Sequence, residues 1–247
     1  MVEGVHFLPN QDMADVAWKL VATNLSDLAA KGAEPIGILL SHTLCADDDR
    51  FIQGLTEALK TYDCALLGGD TVSGDGPRTY GATAIGRASC SPVPSRGDAQ
   101  IGNALYVTGS LGAAMLGFEA LRDGTGENTS AYCRPVPLLA DGQALAPHVT
   151  AMMDVSDGLL LDASRIAKAS NVTLDIETAS VPISVPEDRR DEALRWGDDY
   201  QLLFTLPANA TLPVSAARIG SVLAESDSQI LLDGTAPREG TPLGYSH

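Results

Sequence analysis

The pattern of hydrophobic and polar positions changes its period within residues 151–168, which predicts a strand followed by a helix. Ala151 to Val155 is a short apolar run, typical of a buried strand. From Leu159 onward the apolar residues recur at helical spacing, at positions 159, 160, 163, 166 and 167. The junction between the two patterns holds the polar residues Asp154, Ser156 and Asp157. In a parallel sheet, such a junction lies at the carboxyl end of the strands, where ligands usually bind.

The same two periods alternate along the rest of the chain. Helical spacing predicts helices at 12–31, 51–59, 111–121, 159–167 and 187–195. Short apolar runs predict strands at 36–40, 64–67, 79–88, 104–107, 151–155, 172–176 and 201–206, with closing strands at 218–220 and 230–232. Residues 123–134 are predicted to form a mobile polar loop. Strands that alternate with helices predict an α/β fold or one of α+β layers.

A stretch rich in proline, serine and glycine divides this pattern into two halves. Residues 90–98 read CSPVPSRGD, a composition typical of a loop. We therefore expect one domain over residues 1–92 and a second, α/β domain over residues 97–247. A chain of 247 residues is long enough to form two hydrophobic cores.

Composition restricts the possible partners. The formal net charge is -16, which argues against nucleic acid or an anionic membrane, because their phosphates would be repelled. A phosphate-containing ligand would need metal ions to supply the positive charge. The chain shows neither a signal-peptide pattern nor an apolar run long enough to cross a bilayer. Its four cysteines are scattered, without a C-x-x-C pair, so we expect reduced thiols in a cytoplasmic protein.

Four aspartates, each beside serine or glycine, indicate the chemistry of the site. They are Asp27, Asp70, Asp154 and Asp157. Carboxylates that converge repel one another, and a hard cation such as Mg2+ relieves that repulsion. No G-x-x-x-x-G-K-[ST] motif occurs, so a nucleotide would be held mainly through cations. A multi-metal site of this kind suits phosphoryl transfer, which depends on positioning and charge neutralisation.

Three other interpretations of the junction at residues 154–158 stay open at this point. Ser156 could cap the helix while Asp157 complements the helix dipole. The sequence is also similar to the D-x-D-G turn of haloacid-dehalogenase-type phosphatases, but two residues separate Asp154 from Asp157, so the spacing is wrong. Finally, an acidic metal-binding or interaction protein could use the same turns without turning over a nucleotide.

Five motifs, in this order, resemble the thiamine-monophosphate kinase family. They are VEGVHF at 2–7, NLSDLAA at 24–30, GGDT at 68–71, DVSDGL at 154–159 and GDDY at 197–200, and the match closes with GYSH at 244–247. The resemblance implies ATP-dependent, Mg2+-assisted phosphorylation of thiamine monophosphate to thiamine diphosphate by direct in-line transfer. It also implies a two-domain fold like that of aminoimidazole ribonucleotide synthetase, in a homodimer whose N-terminal sheets pair.

The resemblance further implies a role for individual residues. The metal ligands would be Asp27, Asp70, Asp154 and Asp157, of which Asp154 and Asp157 are the catalytic pair. The nucleotide contacts would be Gly69, Asp70, Arg96 and Ser156. The contacts to the thiamine compound would be His6, Asp198 and Tyr245. From the sequence alone, His6 is more readily interpreted as a half-buried structural histidine, and simple packing is the alternative for Tyr245.

Three departures from the family pattern accompany the resemblance. The family usually has Glu where Asp198 stands, which shortens the reach of this carboxylate. It often has Met where Lys31 stands, which we expect to be a harmless surface change. The sequence begins at Met1, directly before VEGVHF, whereas the family has a preceding segment with further acids. We expect Met1 to be an internal methionine of a longer protein, and chain 1–247 to be weakly active at best and prone to aggregate. An inactive or weakly active truncated member that binds metal and nucleotide only is one alternative. A sibling ATP-dependent enzyme with another substrate is the further alternative.

Overall fold

The computed structural model describes residues 1–245 and arranges them as two β-sheets with helices packed against them. The helices are α1 (Met13–Ala29), α2 (Asp48–Thr61), α3 (Ala113–Asp123), α4 (Ser130–Cys133), α5 (Leu139–Leu145), α6 (Leu159–Ser170) and α7 (Arg190–Arg195). The strands are β1 (Ala33–Thr43), β2 (Ala65–Val72), β3 (Tyr80–Ala88), β4 (Asn103–Val107), β5 (Ala151–Asp154), β6 (Val172–Ile176), β7 (Leu202–Pro207), β8 (Ala217–Ala224) and β9 (Ile230–Leu232). Ser246 and His247, the last two residues of the closing motif, lie outside the described residues.

The smaller sheet has the strand order β2-β1-β3. Strand β1 pairs in parallel with β2 and antiparallel with β3. Helices α1 and α2 share one hydrophobic cluster with this sheet, which includes Ile38 of β1, Leu25 of α1 and Phe51 of α2. By contrast, all eight residues of β2 are exposed. The sheet is therefore covered on the side of α1 and α2, while its β2 edge is open.

The larger sheet has the strand order β5-β7-β4-β8-β6-β9 and is mostly antiparallel. Strand β5 pairs antiparallel with β7, so the expectation that β5 ends in a parallel sheet was wrong. Within residues 1–245, the one parallel pair of this sheet is β6 with β9. Helix α6 packs its apolar stripe, with Leu159, Ala163 and Ile166, into the main cluster of this sheet. The predicted change from strand to helix at residues 151–168 is confirmed, although the sheet around it has another topology.

Helix α1 joins the two sheets. Its first three turns pack in the cluster of the smaller sheet, whereas Ala29 and Ala30 at its end pack with Phe204 and Met152 of the larger sheet. Two glycines allow other helices to approach α1 closely. A Cβ on Gly54 of α2 would collide with the Ala14 carbonyl, and one on Gly142 of α5 would collide with the Ala29 carbonyl. The helix is thus enclosed by its neighbours at both ends.

Some segments differ from their prediction. Residues 123–134 are not only a polar loop, because α4 lies within them and buries Tyr132 and Cys133. The short α5 was not predicted either. Residues 89–102 form neither helix nor strand, and the domain limits at residues 92 and 97 stay a prediction. Among residues 1–245, no helix combines the length and the apolar composition needed to cross a membrane.

We expect Gly54→Ala to lower the free energy of unfolding by about 2–3 kcal/mol, because the added methyl group forces α2 away from α1. In an exposed helix the same change would stabilise the protein, since alanine favours helix more than glycine does. Urea denaturation followed by circular dichroism measures the difference. Gly74→Ala is the matched control, because a Cβ at Gly74 meets no atom within 4 Å. An unchanged or more stable Gly54→Ala variant would contradict the close packing of the two helices.

Candidate functional site

A cavity of about 630 Å³ lies between α1, the turn after β5 and the segment before β7. Its walls include, among others, His6, Lys19, Asn24, Asp27, Phe118, Tyr132, Asp154, Ser156, Asp157, Trp196, Asp198, Tyr200 and Tyr245. Two groups of its lining residues differ in chemistry. The carboxylates of Asp27, Asp154 and Asp157 form the first, which we call the acidic end, and the side chains of His6, Phe118, Tyr132, Trp196 and Tyr245 form the second, which we call the aromatic end. The cavity therefore offers two chemically different surfaces to a ligand.

The acidic end is built where the last residue of β5 meets α1. Asp154 is 6% exposed and accepts a hydrogen bond of 2.6 Å from Ser26 Oγ. Burial, and then the negative charge of Asp27, raise the pKa of Asp154 to about 6. Burial also raises the pKa of Asp27, against the opposing charges of Lys31 and Arg96. Two carboxylates are thus held together at a cost that a bound cation would relieve.

The turn after β5 is organised by Asp162 of α6. The backbone N–H groups of Ser156 and Asp157 donate to Asp162 Oδ2, at 2.9 and 3.0 Å. The guanidinium of Arg165 lies 2.6 Å from both Asp157 Oδ2 and Asp162 Oδ1. Helix α6 begins after Gly158 with no side-chain cap, so the interpretation of Ser156 as a helix cap was wrong. Asp162 instead fixes the two residues that face the cavity, and burial raises its own pKa to about 6.

The segment before β7 also lines the cavity, and it lies against the turn after β5. Asp198 has a φ of +64° and Tyr200 a φ of +51°, so both adopt the left-handed backbone conformation that L-residues rarely enter. The backbone N–H groups of these residues donate to the carbonyls of Ser156 and Val155, each at 2.9 Å. This segment is therefore fastened to the turn after β5. Asp198 projects from it with a side chain that is 30% exposed.

Asp199 performs a structural task within the same segment. Its carboxylate accepts the backbone N–H groups of Gly112 and Ala114 at the start of α3, at 2.7 and 3.2 Å. Burial raises the pKa of Asp199 to about 6, although these bonds act in the opposite direction. Because α3 carries Phe118, the bond from Asp199 helps to place one aromatic wall of the cavity.

The two predicted substrate residues near the chain ends line the same cavity. The Nδ1 atom of His6 accepts the backbone N–H of Val2 at 3.0 Å, and its carbonyl accepts the Tyr132 hydroxyl at 3.2 Å. The backbone N–H of Tyr245 donates to the Asp157 carbonyl at 2.8 Å, while its side chain is 48% exposed. His6, Asp198 and Tyr245 are therefore brought to one cavity from three distant parts of the sequence.

Other predicted site residues lie outside this cavity. Asp70 and Gly69 are on the exposed strand β2, where Asp70 Oδ1 accepts the N–H of Thr71 at 3.0 Å. A Cβ on Gly69 would collide with the Leu40 carbonyl of β1, so strand packing also requires glycine there. Arg96 does not line the cavity, but its charge lowers the pKa of Asp27. Within residues 1–245, no three His, Cys, Asp or Glu side chains are arranged to share one metal ion.

Three residues of the site escaped the sequence analysis or were misjudged by it. Lys31 was expected on the surface, yet it is half-buried and its Nζ donates to the Pro94 carbonyl at 3.2 Å. Asp162 and Lys19 were not singled out at all. Asp162 lies on the buried face of α6, directly after the motif at residues 154–159. A charged residue among the apolar positions of this helix was the signal in the sequence that could have identified it.

Comparison with known proteins gives consistent matches over the whole chain. Residues 1–88 match the family model for the AIR synthase related protein, N-terminal domain, and residues 100–231 match its C-terminal domain. The thiamine-monophosphate kinase of Caulobacter vibrioides is 36% identical over 275 residues, covering 100% of this chain and 78% of the relative. That of Escherichia coli is 34% identical over 283 residues, covering 100% and 84%.

Solved structures give the same picture. The thiamine-monophosphate kinase from Stenotrophomonas maltophilia is 33% identical, with a TM-score of 0.85 and coverage of 95% of this chain and 83% of the other. The structure of AaThiL complexed with AMPPCP and TMP is 28% identical, with a TM-score of 0.88 and coverage of 100% and 85%. The hydrogenase maturation protein HypE of E. coli, at 20% identity and a TM-score of 0.76 over 98% and 82%, shares the fold.

We expect Asp154→Asn to stabilise the protein in metal-free buffer above pH 6. The raised pKa means that Asp154 holds its proton more tightly in the folded protein than in the unfolded chain. The stabilisation that protonated Asp154 provides is therefore lost as the pH rises from about 4 through about 6. Above that window, ionised Asp154 costs about 2–3 kcal/mol, which neutral Asn avoids. Thermal melts of both proteins between pH 4 and 8 measure this difference.

The expected result is a gap in melting temperature that is small near pH 4 and widens toward pH 8. Asp188→Asn is the control, because Asp188 is exposed and its removal should leave the pH profile unchanged. A gap that does not depend on pH would contradict the assignment of the raised pKa to Asp154.

Proposed function

The chain belongs to the thiamine-monophosphate kinase family of AIR synthase related proteins, and we propose that it phosphorylates thiamine monophosphate with ATP. In this reaction a phosphate oxygen of thiamine monophosphate attacks the γ-phosphorus of ATP. The bond between that phosphorus and the β,γ-bridging oxygen breaks, so the products are thiamine diphosphate and ADP. The transfer is direct and involves no covalent intermediate on the enzyme.

One observation carries this proposal: a single cavity contains both an acidic end and an aromatic end. Phosphate groups need positive charge, which the acidic end can hold as metal ions. A heteroaromatic ring needs flat apolar walls and a few polar groups, which the aromatic end supplies. A substrate that carries a phosphate on one side and two heteroaromatic rings on the other fits this division.

The acidic end suits Mg2+ by its donor chemistry. Its carboxylate oxygens are hard ligands, and burial together with the smaller effect of repulsion from Asp27 raises the pKa of Asp154. By family resemblance we assign Mg2+ ions to Asp27, Asp70, Asp154 and Asp157, divided so that no single ion needs three of these carboxylates as they are arranged within residues 1–245. The bound metal would neutralise charge that develops on the transferring phosphoryl group. Among the chain's own groups, Asp162 holds the backbone at Ser156 and Asp157 in place.

The remaining residues divide between the two substrates. Gly69, Asp70, Arg96 and Ser156 contact the nucleotide in this proposal, and the guanidinium of Arg96 offers two donors to a phosphate. His6, Asp198 and Tyr245 contact thiamine monophosphate at the other end of the cavity. In this proposal the acceptor phosphate meets the γ-phosphate of ATP at the metal-binding carboxylates.

We also propose that two copies of the chain pair through the smaller sheet. On the face away from α1 and α2, Leu39, Leu67 and Ile85 are 42%, 47% and 40% exposed. Leu67 lies against Gly37 of β1, and Gly37 pairs with Ile85, so these side chains form one patch. Exposed apolar patches of this kind typically mark interaction surfaces.

The kinase assay with its Asp157→Asn variant tests the proposed function. With ATP, Mg2+ and thiamine monophosphate, the wild-type chain should release ADP and thiamine diphosphate in equal amounts, and excess chelator should stop the reaction. Asp157→Asn should lower kcat about 100-fold, because one charge that holds the metal is removed. Asp188→Asn should retain the wild-type rate. Chromatography of the thiamine compounds and a coupled ADP assay provide the two measurements.

Two outcomes would contradict this assignment. Wild-type turnover in Asp157→Asn would remove Asp157 from the reaction. Binding of ATP and metal without any thiamine diphosphate would favour a binding protein instead of a kinase.

We expect sedimentation velocity at micromolar concentration to show a dimer, and Leu39→Glu to shift it toward monomer by placing a charge in the apolar patch. Ile101→Glu is the matched control, because Ile101 is 66% exposed in a turn away from the smaller sheet. A wild-type monomer, or an equally dimeric Leu39→Glu variant, would show that this patch is not the interface.

A further inference from the structure

Lys19 of α1 is a buried charge in the cavity wall that the reaction described above does not use. The residue is 2% exposed, and its Nζ lies 2.8 Å from Asp198 Oδ2. The same Nζ lies 3.6 Å from the centroid of the Tyr132 ring. Burial lowers the pKa of Lys19 from its ordinary value, while the carboxylate of Asp198 and the aromatic face oppose that change by favouring the ammonium form. A buried ammonium needs such partners, and both of these residues line the cavity.

The carboxylate of Asp198 is fixed from both sides. Its Oδ2 accepts from Lys19, and its Oδ1 accepts the Tyr200 hydroxyl at 2.8 Å. Each oxygen of an ionised carboxylate has a second acceptor site, so the group can still accept a hydrogen bond from a ligand in the cavity. The left-handed φ of Asp198 and the bond from its N–H to Ser156 fix the backbone as well. The direction of the remaining acceptor sites is therefore set before a ligand arrives.

The ion pair also changes what Asp198 can recognise. An unpaired carboxylate in a half-buried wall attracts any cation, because its charge is poorly screened there. Beside the ammonium of Lys19, the pair carries no net charge and acts as an oriented hydrogen-bond acceptor. Such a group selects a ligand by its N–H donor geometry more than by its charge.

On this basis we propose that Lys19 is a positioning and specificity-determining residue, which makes Asp198 select a neutral ring amino group. The inference rests on the proposed function, because thiamine monophosphate carries both a cationic thiazolium and a neutral aminopyrimidine. Asp198, held by Lys19, accepts a hydrogen bond from the amino group of the pyrimidine. Lys19 itself contacts Asp198 and takes no part in the transfer of the phosphoryl group.

The test measures binding of two ligands to two variants. Thiamine monophosphate is compared with its analogue in which the ring amino group is replaced by oxygen, by calorimetry without ATP. Wild type should prefer thiamine monophosphate by about 30-fold, since the analogue leaves a buried acceptor without its donor. In Lys19→Met the preference should fall to about threefold or less, while Lys19→Arg should keep most of it because the charge is retained.

Three further measurements separate this role from a structural one. ATP affinity should stay the same in Lys19→Met, whereas a general loss of structure would weaken the binding of every ligand. Tyr200→Phe removes the other bond to Asp198 and should reduce the preference in the same direction, even if Lys19→Met does not fold. Lys168→Met, at an exposed position of α6, should behave as wild type.

The two ways to fail are distinguishable. If wild type converts thiamine monophosphate to thiamine diphosphate but Lys19→Met or Tyr200→Phe keeps the full preference, the role of Lys19 is overturned and the proposed function stands. If wild type neither binds nor phosphorylates thiamine monophosphate, the proposed function fails and this inference fails with it.

Discussion

The close packing of α1 between the two sheets is the constraint on which the site depends. Gly54 and Gly142 let α2 and α5 approach the two ends of this helix so closely that a methyl group would not fit. Since the helix cannot shift without disturbing both cores, its polar side chains have fixed positions. Lys19 and Asp27 therefore line the cavity from a rigid element, and Lys19 and the buried Ser26 donate hydrogen bonds to Asp198 and Asp154. A rigid support of this kind gives a site its precision.

The buried acids divide into two groups according to how their charge is compensated. Asp162 accepts two backbone N–H groups and lies beside Arg165, and Asp199 accepts two N–H groups at the start of α3. These two acids are structural, since their hydrogen bonds are satisfied within the fold. Asp154 has one hydroxyl donor and faces the negative charge of Asp27. Two neighbouring carboxylates of this kind destabilise the protein without a cation and favour the binding of one. Such an arrangement is typical of a functional site, because it does not serve the stability of the fold.

How much of this could be predicted from the sequence depends on the range of the interaction. The strand β5 and the helix α6 could be predicted because the spacing of apolar residues is a local property of the sequence. The family resemblance could be identified because its motifs are local as well, and the comparisons confirm it. The antiparallel pairing of β5 with β7 was missed, because strand partners distant in sequence leave no local signal. Lys19 was missed for a similar reason. It lies within a helix whose apolar residues dominate the pattern, and only its partner 179 positions away explains its burial.

Asp157 connects the two ends of the cavity through three separate groups. Its carboxylate meets Arg165, its N–H donates to Asp162, and its carbonyl accepts the N–H of Tyr245. The side chain that pairs with Arg165 and the carbonyl that holds residue 245 thus belong to one residue. The acidic end and the aromatic end are therefore parts of one bonded arrangement, because Asp157 of the acidic end also holds the backbone of Tyr245 in place. Through this link the short turn after β5 reaches both groups of lining residues.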